Sequence, residues 1–124
     1  MLSQTQMVKV RKAIESMYKH ICTITEHQKF TKENKSTGFK DVVVLENQRC
    51  RLSYKTINNA NQTETASSMV QVIKLFIAPE IKVKPGSKLT ITHNGVTTEY
   101  KNSGEPAIYD THQEIILELF KGWT

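Results

Sequence analysis

The alternation of apolar and polar positions changes period once, near Tyr18. Before it, Met7, Val10, Ile14 and Met17 recur at intervals of three and four, the spacing of one apolar stripe on a helix. Ser3 and Gln6 stand just ahead of the stripe. They form a capping-box pattern, in which each side chain satisfies an orphan backbone N–H at the helix start. The pattern predicts a helix over about residues 3–18, its stripe packed on the protein's own core or on a neighbouring subunit. After Tyr18 the period is two. "HICTITEH" reads as a first strand, rich in β-branched residues. "KDVVVLE" reads as a second and, after Asn47, "QRCRLSYK" as a third. There Cys50, Leu52 and Tyr54 alternate with Arg49, Arg51, Ser53 and Lys55, so one face is buried and the other wet and basic. "QKFTKENKSTGF", between the first two, is charged and reads as an arm without fixed structure that ends near Gly38.

Further along, "MVQVIKLFIA" sets Ile73, Leu75 and Ile77 opposite Val70, Val72, Lys74 and Phe76. "PEIKVKPGSK" brings Ile81 and Val83 into a short extended piece that ends in a Pro85–Gly86 turn. In "KLTITHNGVTTEY", two alternating strands flank Asn94–Gly95, a pair that accepts the positive backbone angles of a tight hairpin. "AIYD" and "QEIILELF" complete the series. Short strands at this spacing, behind one N-terminal helix, predict an all-β fold, a small antiparallel barrel or sandwich with long loops. It is expected to be a single domain over 1–124, with the barrel at about 20–120. One stretch stands apart. "TINNANQTETASS", Thr56 to Ser68, is polar, nearly uncharged and set between two strand-like segments, and structureless connections of such length are usually functional.

The chain's 124 residues suffice for one core without disulfides or metal. A net charge of +5 suits nucleic acid, an acidic protein surface or plain solubility. The two cysteines, Cys22 and Cys50, form no CxxC pattern, and "MLSQTQMVKVRKAIESM" lacks the apolar core of a signal peptide. Both features point to a reducing cytoplasm. No apolar run approaches the roughly 20 residues that span a bilayer, so no membrane partner is expected.

Candidate chemistry is sparse. His20 and Cys22 share a strand face and Cys50 could join them as a third zinc ligand. The spacing matches no standard zinc pattern, however, and strand cysteines behave as small buried hydrophobes. Neither a metal nor another cofactor is expected, and the compartment argues against a Cys22–Cys50 disulfide. Tyr109, Asp110 and His112 suggest a carboxylate-oriented imidazole. They fall in a turn with no nucleophile beside them, so turn chemistry is the better reading. No catalytic site and no enzyme activity are expected. Arg49, Arg51 and Lys55 line one strand face that could track a phosphate backbone or meet an acidic partner, yet Tyr54 points the other way. Trp123 either completes the core or stands exposed as an interface anchor.

Taken in order, these features resemble a family. A short helix leads to a strand and a charged arm closed by Gly38, then "QRCRLSYKT", a long polar loop and "VQVIKLFIAPEIKVKPGSKLTI". A hairpin with "NG" at its tip and "IYDTHQEIILEL" follow. This is similar to the small head–tail connector proteins of tailed bacteriophages and prophages, the head-closure (stopper) or minor capsid class, over nearly the whole chain. The resemblance implies a non-enzymatic β-barrel assembled as a homo-oligomeric ring, six-fold, between portal and adaptor proteins and the tail terminator. It implies assembly in the bacterial host cytoplasm, a place in the virion neck, and DNA passing through the lumen with non-specific contact. Arg49, Arg51 and Lys55 are then candidate lumen contacts. Asn58, Asn59, Asn61, Gln62, Thr63, Glu64 and Thr65 correspond in position to the long loop such proteins use for ring contacts or to close the channel. Low charge suits a segment repeated around an axis, where like charges would repel. The alternatives are a small single-stranded nucleic-acid-binding β-barrel and, within the same machine, a tail terminator or tail-completion protein.

Overall fold

The computed structural model describes residues 3–58 and 69–123. Helix α1 (Gln4–Glu15) precedes β1 (His20–Thr31), β2 (Thr37–Asn58), β3 (Met69–Ile77), β4 (Lys88–His93), β5 (Val96–Asn102), β6 (Ala107–Ile108) and β7 (Gln113–Leu119). The strands run β3-β2-β1-β4-β5-β7-β6, and β3 also pairs with β7. Every ladder is antiparallel. The β3–β7 pairing closes six strands into a barrel, with β6 added outside β7. Closure removes most exposed edges, which would otherwise offer unpaired backbone groups to other chains. The all-β expectation therefore holds, in its barrel form.

The long β2 strand makes closure possible. Its first part, Thr37–Cys50, pairs with β1, and Arg51–Asn58 pairs with β3. The expected break at Asn47 is not a break. Between Cys22 and Ile24 the partner register runs from Gln48 to Leu45, and Asn47 takes φ 55°. An extra residue on one strand is a bulge that bends the ladder, and here it turns one strand from β1 toward β3. The expectation of a structureless arm over "QKFTKENKSTGF" is corrected outright, because β1 continues to Thr31 and pairs down to Thr37. Its turn is closed by Lys35 N–H on Lys32 O and by Asn34 Oδ1, which accepts from the Ser36 amide and hydroxyl. Gly38 lies opposite Phe30, and a Cβ there would meet the Phe30 ring at 2.9 Å. The missing side chain makes room for the aromatic ring to cover the backbone.

Alternation then builds the core. Cys22, Ile24, Cys50, Leu75, Ile77, Leu89 and Ile115 are fully buried, with Leu52, Val83, Ile91, Tyr100 and Leu117 around them. Each large apolar side chain buried in this way contributes roughly 1.5–3 kcal/mol. Asn94 and Gly95, at φ 52° and 79°, make the expected tight turn between β4 and β5. Ile81 and Val83 do not form strand. Two buried amides hold their segment instead: Gln113 Nε2 donates to Ala78 O at 2.8 Å and to Ile81 O, and Asn102 Nδ2 donates to Val83 O and Lys84 O, each at 3.2 Å.

The capping box of α1 forms as expected, Ser3 Oγ accepting from Gln6 N–H and Gln6 Oε1 from Ser3 N–H. The helix ends at Glu15, however, so Met17 lies beyond it. The stripe does not pack on the core as one of its two readings required. No residue of α1 is fully buried; Met7, Arg11 and Ile14 are half-buried, and Val10 and Met17 are exposed. Among the described residues one long-range ion pair ties the helix to the rest of the molecule, Arg11 to Glu80 at 2.8 Å.

Candidate functional site

The basic row on β2 lies where the alternation put it. Arg49, Arg51 and Lys55 are exposed on the outer face, and two of the three also serve the fold. The Arg49 guanidinium donates twice to Tyr18 O, at 3.2 and 3.3 Å, and so ties the helix–strand connection to the barrel. Arg51 sits 5.6 Å from the centre of the Phe76 ring, a favourable cation–π placement. Lys55 projects into solvent.

Tyr54 falls on the face of Cys50 and Leu52 but, unlike them, is 53% exposed rather than buried as expected, and its hydroxyl meets that of Tyr100 at 3.0 Å. The pair bridges β2 and β5, strands that are not neighbours in the sheet. Burial, with the Tyr54 hydrogen bond behind it, pushes the Tyr100 hydroxyl up to about 12. Tyr54 and Tyr100, with Leu52, Ile91, His20 and His93, line an open cleft of about 280 Å³. Leu52, Ile91 and Tyr100 belong to the core, so the cleft enters the barrel. His20 and His93 stack at its side with centroids 4.0 Å apart. Burial, then the neighbouring His93 and Arg51, lower the His20 pKa, and Nδ1 of each ring is buried without a hydrogen-bond partner among the described residues. Sequence reasoning singled out His20 but not this cleft. His93, Tyr54 and Tyr100 sit on three strands, and nothing local links them.

The structure turns His20 toward His93, away from any joint role with Cys22 and Cys50. Among the described residues no three His, Cys, Asp or Glu side chains converge as a metal site. Cys22 and Cys50 are free thiols in the core. The Cys50 thiol, by hydrogen bonding, and burial raise the Cys22 pKa, which keeps it protonated and unreactive. At the "YDTHQ" turn, His112 takes Glu114 rather than Asp110 as its carboxylate partner, Nε2 to Oε2 at 3.0 Å. Tyr109 stacks on the imidazole and its N–H closes the turn on His112 O.

Trp123 packs outside the core cluster. It stacks on His27 at 4.8 Å, and His27 stacks on Phe39 at 4.9 Å. Hydrogen bonds from His27 and Trp123 hold the Asp41 carboxyl below its ordinary range, and Lys88 stands over both Phe120 and Trp123. The chain end is thereby strapped to the β1–β2 hairpin. Of the polar-loop residues, Asn58 ends β2 opposite Met69. Asn59, Asn61, Gln62, Thr63, Glu64 and Thr65 lie outside the described residues. No described helix is long and apolar enough to cross a membrane.

A closed barrel of this order, carrying one peripheral helix, can be compared with known folds. The chain is similar in fold to the phage-like element PBSX protein xkdH from Bacillus subtilis. The match covers 81% of this chain and 92% of xkdH, with a TM-score of 0.50 and 11% sequence identity. At that identity the likeness is one of fold. Neither a protein-family model nor a curated protein matches the sequence.

Proposed function

We propose that this chain is a structural protein of a tailed phage or prophage neck. It acts as a non-enzymatic ring component between the portal and adaptor on one side and the tail terminator on the other, with DNA passing through the lumen. The observation that carries this reading is the fold shared with xkdH, a protein of a phage-like element, over 92% of that chain. The order of sequence features that resembles the head-closure class supports it independently. A small antiparallel barrel suits such a role, since its rigid wall can be repeated around an axis while loops and termini make the contacts. In this reading Lys55 and Arg51 face DNA or an acidic partner, Asn58, Asn59, Asn61, Gln62, Thr63, Glu64 and Thr65 contact neighbouring subunits or the channel, and Trp123 backs a partner surface.

Electron microscopy of the chain co-expressed with its portal-side and tail-side genomic neighbours tests the proposal. A six-fold ring bridging the two is expected. A protein that stays monomeric with those neighbours present refutes the reading. A titration with single-stranded oligonucleotide separates the nucleic-acid-binding alternative. Micromolar binding by the isolated protein, weakening steeply with salt as phosphate contacts do, would favour that alternative. In the same titration Lys55→Ala should lower the salt slope by about one contact, while Arg49→Ala should chiefly loosen the fold.

A further inference from the structure

Two surface patches on this molecule are unmatched at home and complementary to each other. Arg11, bonded to Glu80, marks the side of α1 that leans on the barrel. At 3.6 residues per turn, Met7, Ile14 and Glu15 share that side, and all three are half-buried. Lys9, Val10, Lys12 and Ala13 fall on the arc turned away, and all four are exposed. Neither lysine has an ion-pair partner among the described residues. A helix of 12 residues is marginal in water without packing, so α1 retains an uncovered face that a further contact would stabilise.

The second patch is the β6 rim. β6 bonds only to β7 among the described residues and stands outside the closed barrel. Around it Ile108 and Tyr109 are exposed to 67% and 51%, flanked by the exposed carboxylates of Glu105 and Asp110. Neither acid is in an ion pair among the described residues. Apolar side chains bracketed by unpaired charge of one sign suit a partner with apolar positions and the opposite charge.

We propose that α1 of one copy docks on the β6 rim of the next copy, Lys9 and Lys12 meeting Glu105 and Asp110 while Val10 and Ala13 cover Ile108 and Tyr109. The helix arc points away from its own barrel, and among the described residues its cations have no acidic partner within the chain. Donor and acceptor are different patches on one chain. The contact is therefore head-to-tail, the kind that closes into a ring when the rotation is right. This inference rests on the ring reading and names one of its interfaces.

The test mixes unlabelled and 15N-labelled full-length protein, assembled with its neck neighbours. Zero-length carbodiimide cross-linking and mass spectrometry then identify which copies are joined. Links from Lys9 or Lys12 to Glu105 or Asp110 between the two isotopic species are expected. Lys9→Glu with Lys12→Glu should raise the assembly midpoint concentration at least about tenfold, and adding Glu105→Lys with Asp110→Lys should restore it to within about threefold. Circular dichroism on each variant checks that the exposed substitutions leave the barrel folded. A ring that assembles normally with the helix charges reversed, and shows no inter-copy link, overturns this interface while the ring reading stands. Failure of the wild-type chain to form any ring overturns both.

Discussion

Replacing Gln113 with leucine removes a buried donor while keeping nearly the same volume, which isolates the polar contribution of the β3–β4 connection. Gln113 is 1% exposed, and its Nε2 donates to Ala78 O and Ile81 O. Leucine there leaves both carbonyls short of a donor. Ala78 O retains the Ile81 N–H at 3.3 Å, so its share of the cost is small. The pair together should cost about 2–4 kcal/mol, since a buried group stripped of its partner loses its desolvation energy in full. Against a total stability of roughly 5–15 kcal/mol, that lowers the melting temperature by roughly 6–20 °C. Ile115→Val on the same strand is the baseline, with an expected cost of about 0.5–1.5 kcal/mol from lost packing alone. Urea unfolding followed by circular dichroism gives the energies. Amide exchange then reports where protection falls, which should be over residues 78–87. A Gln113→Leu variant no less stable than Ile115→Val, or one with residues 78–87 as protected as before, would refute the reasoning.

Three further outcomes follow from the same geometry. Gly38→Ala should destabilise the β1–β2 hairpin by roughly 1–2 kcal/mol through overpacking, because the new Cβ meets the Phe30 ring at 2.9 Å; unchanged Phe30 ring shifts in NMR spectra would contradict it. Hydrogen bonds from His112, with Lys74 behind it, lower the Glu114 pKa below its ordinary 4.5. A lowered carboxylate adds stability that is complete above 4.5 and disappears as pH falls through the folded value. Glu114→Gln should thus cost roughly 0.5–1 kcal/mol at pH 7, and the gap from wild type should close in acid; a pH-independent gap would argue against the ion pair. Cys22 and Cys50, both at 0% exposure, should react with a thiol reagent only as fast as the barrel opens. Immediate labelling of either in native buffer would show that the seam between β1 and β2 is not closed.

Much of the barrel was legible because its strands obey the period-two rule on their own. "HNG" between two alternating runs specified the β4–β5 hairpin, Ile73, Leu75 and Ile77 declared their inward face, and Ser3 with Gln6 announced the helix start. The arm was misread because its ladder is backbone-made and its side chains are mostly polar or charged. The cross-strand ladder from His27 to Thr31, with Phe30 set over Gly38 and the turn bonds of Asn34 and Lys35, explains why it is ordered. The cleft was out of reach for a related reason, as His20, His93, Tyr54 and Tyr100 come from four strands brought together by closure. The helix shows the limit most plainly. Its stripe was visible, but no stripe names its partner, and the fold leaves Val10 outside while Arg11 holds the near side to Glu80.

Local chemistry in this chain thus sets the element types, the tight turn, the helix cap and the inward side of most strands, because each depends on neighbours a few residues apart. What pairs with what is a different matter. The bend at Asn47, the β3–β7 closure, and the anchoring of residues 78–84 by Gln113 and Asn102 arise from contacts between distant segments. Those contacts exist only once the whole sheet has curled, since a bulge, a closing ladder or a buried amide gains its energy from partners that the linear order keeps apart.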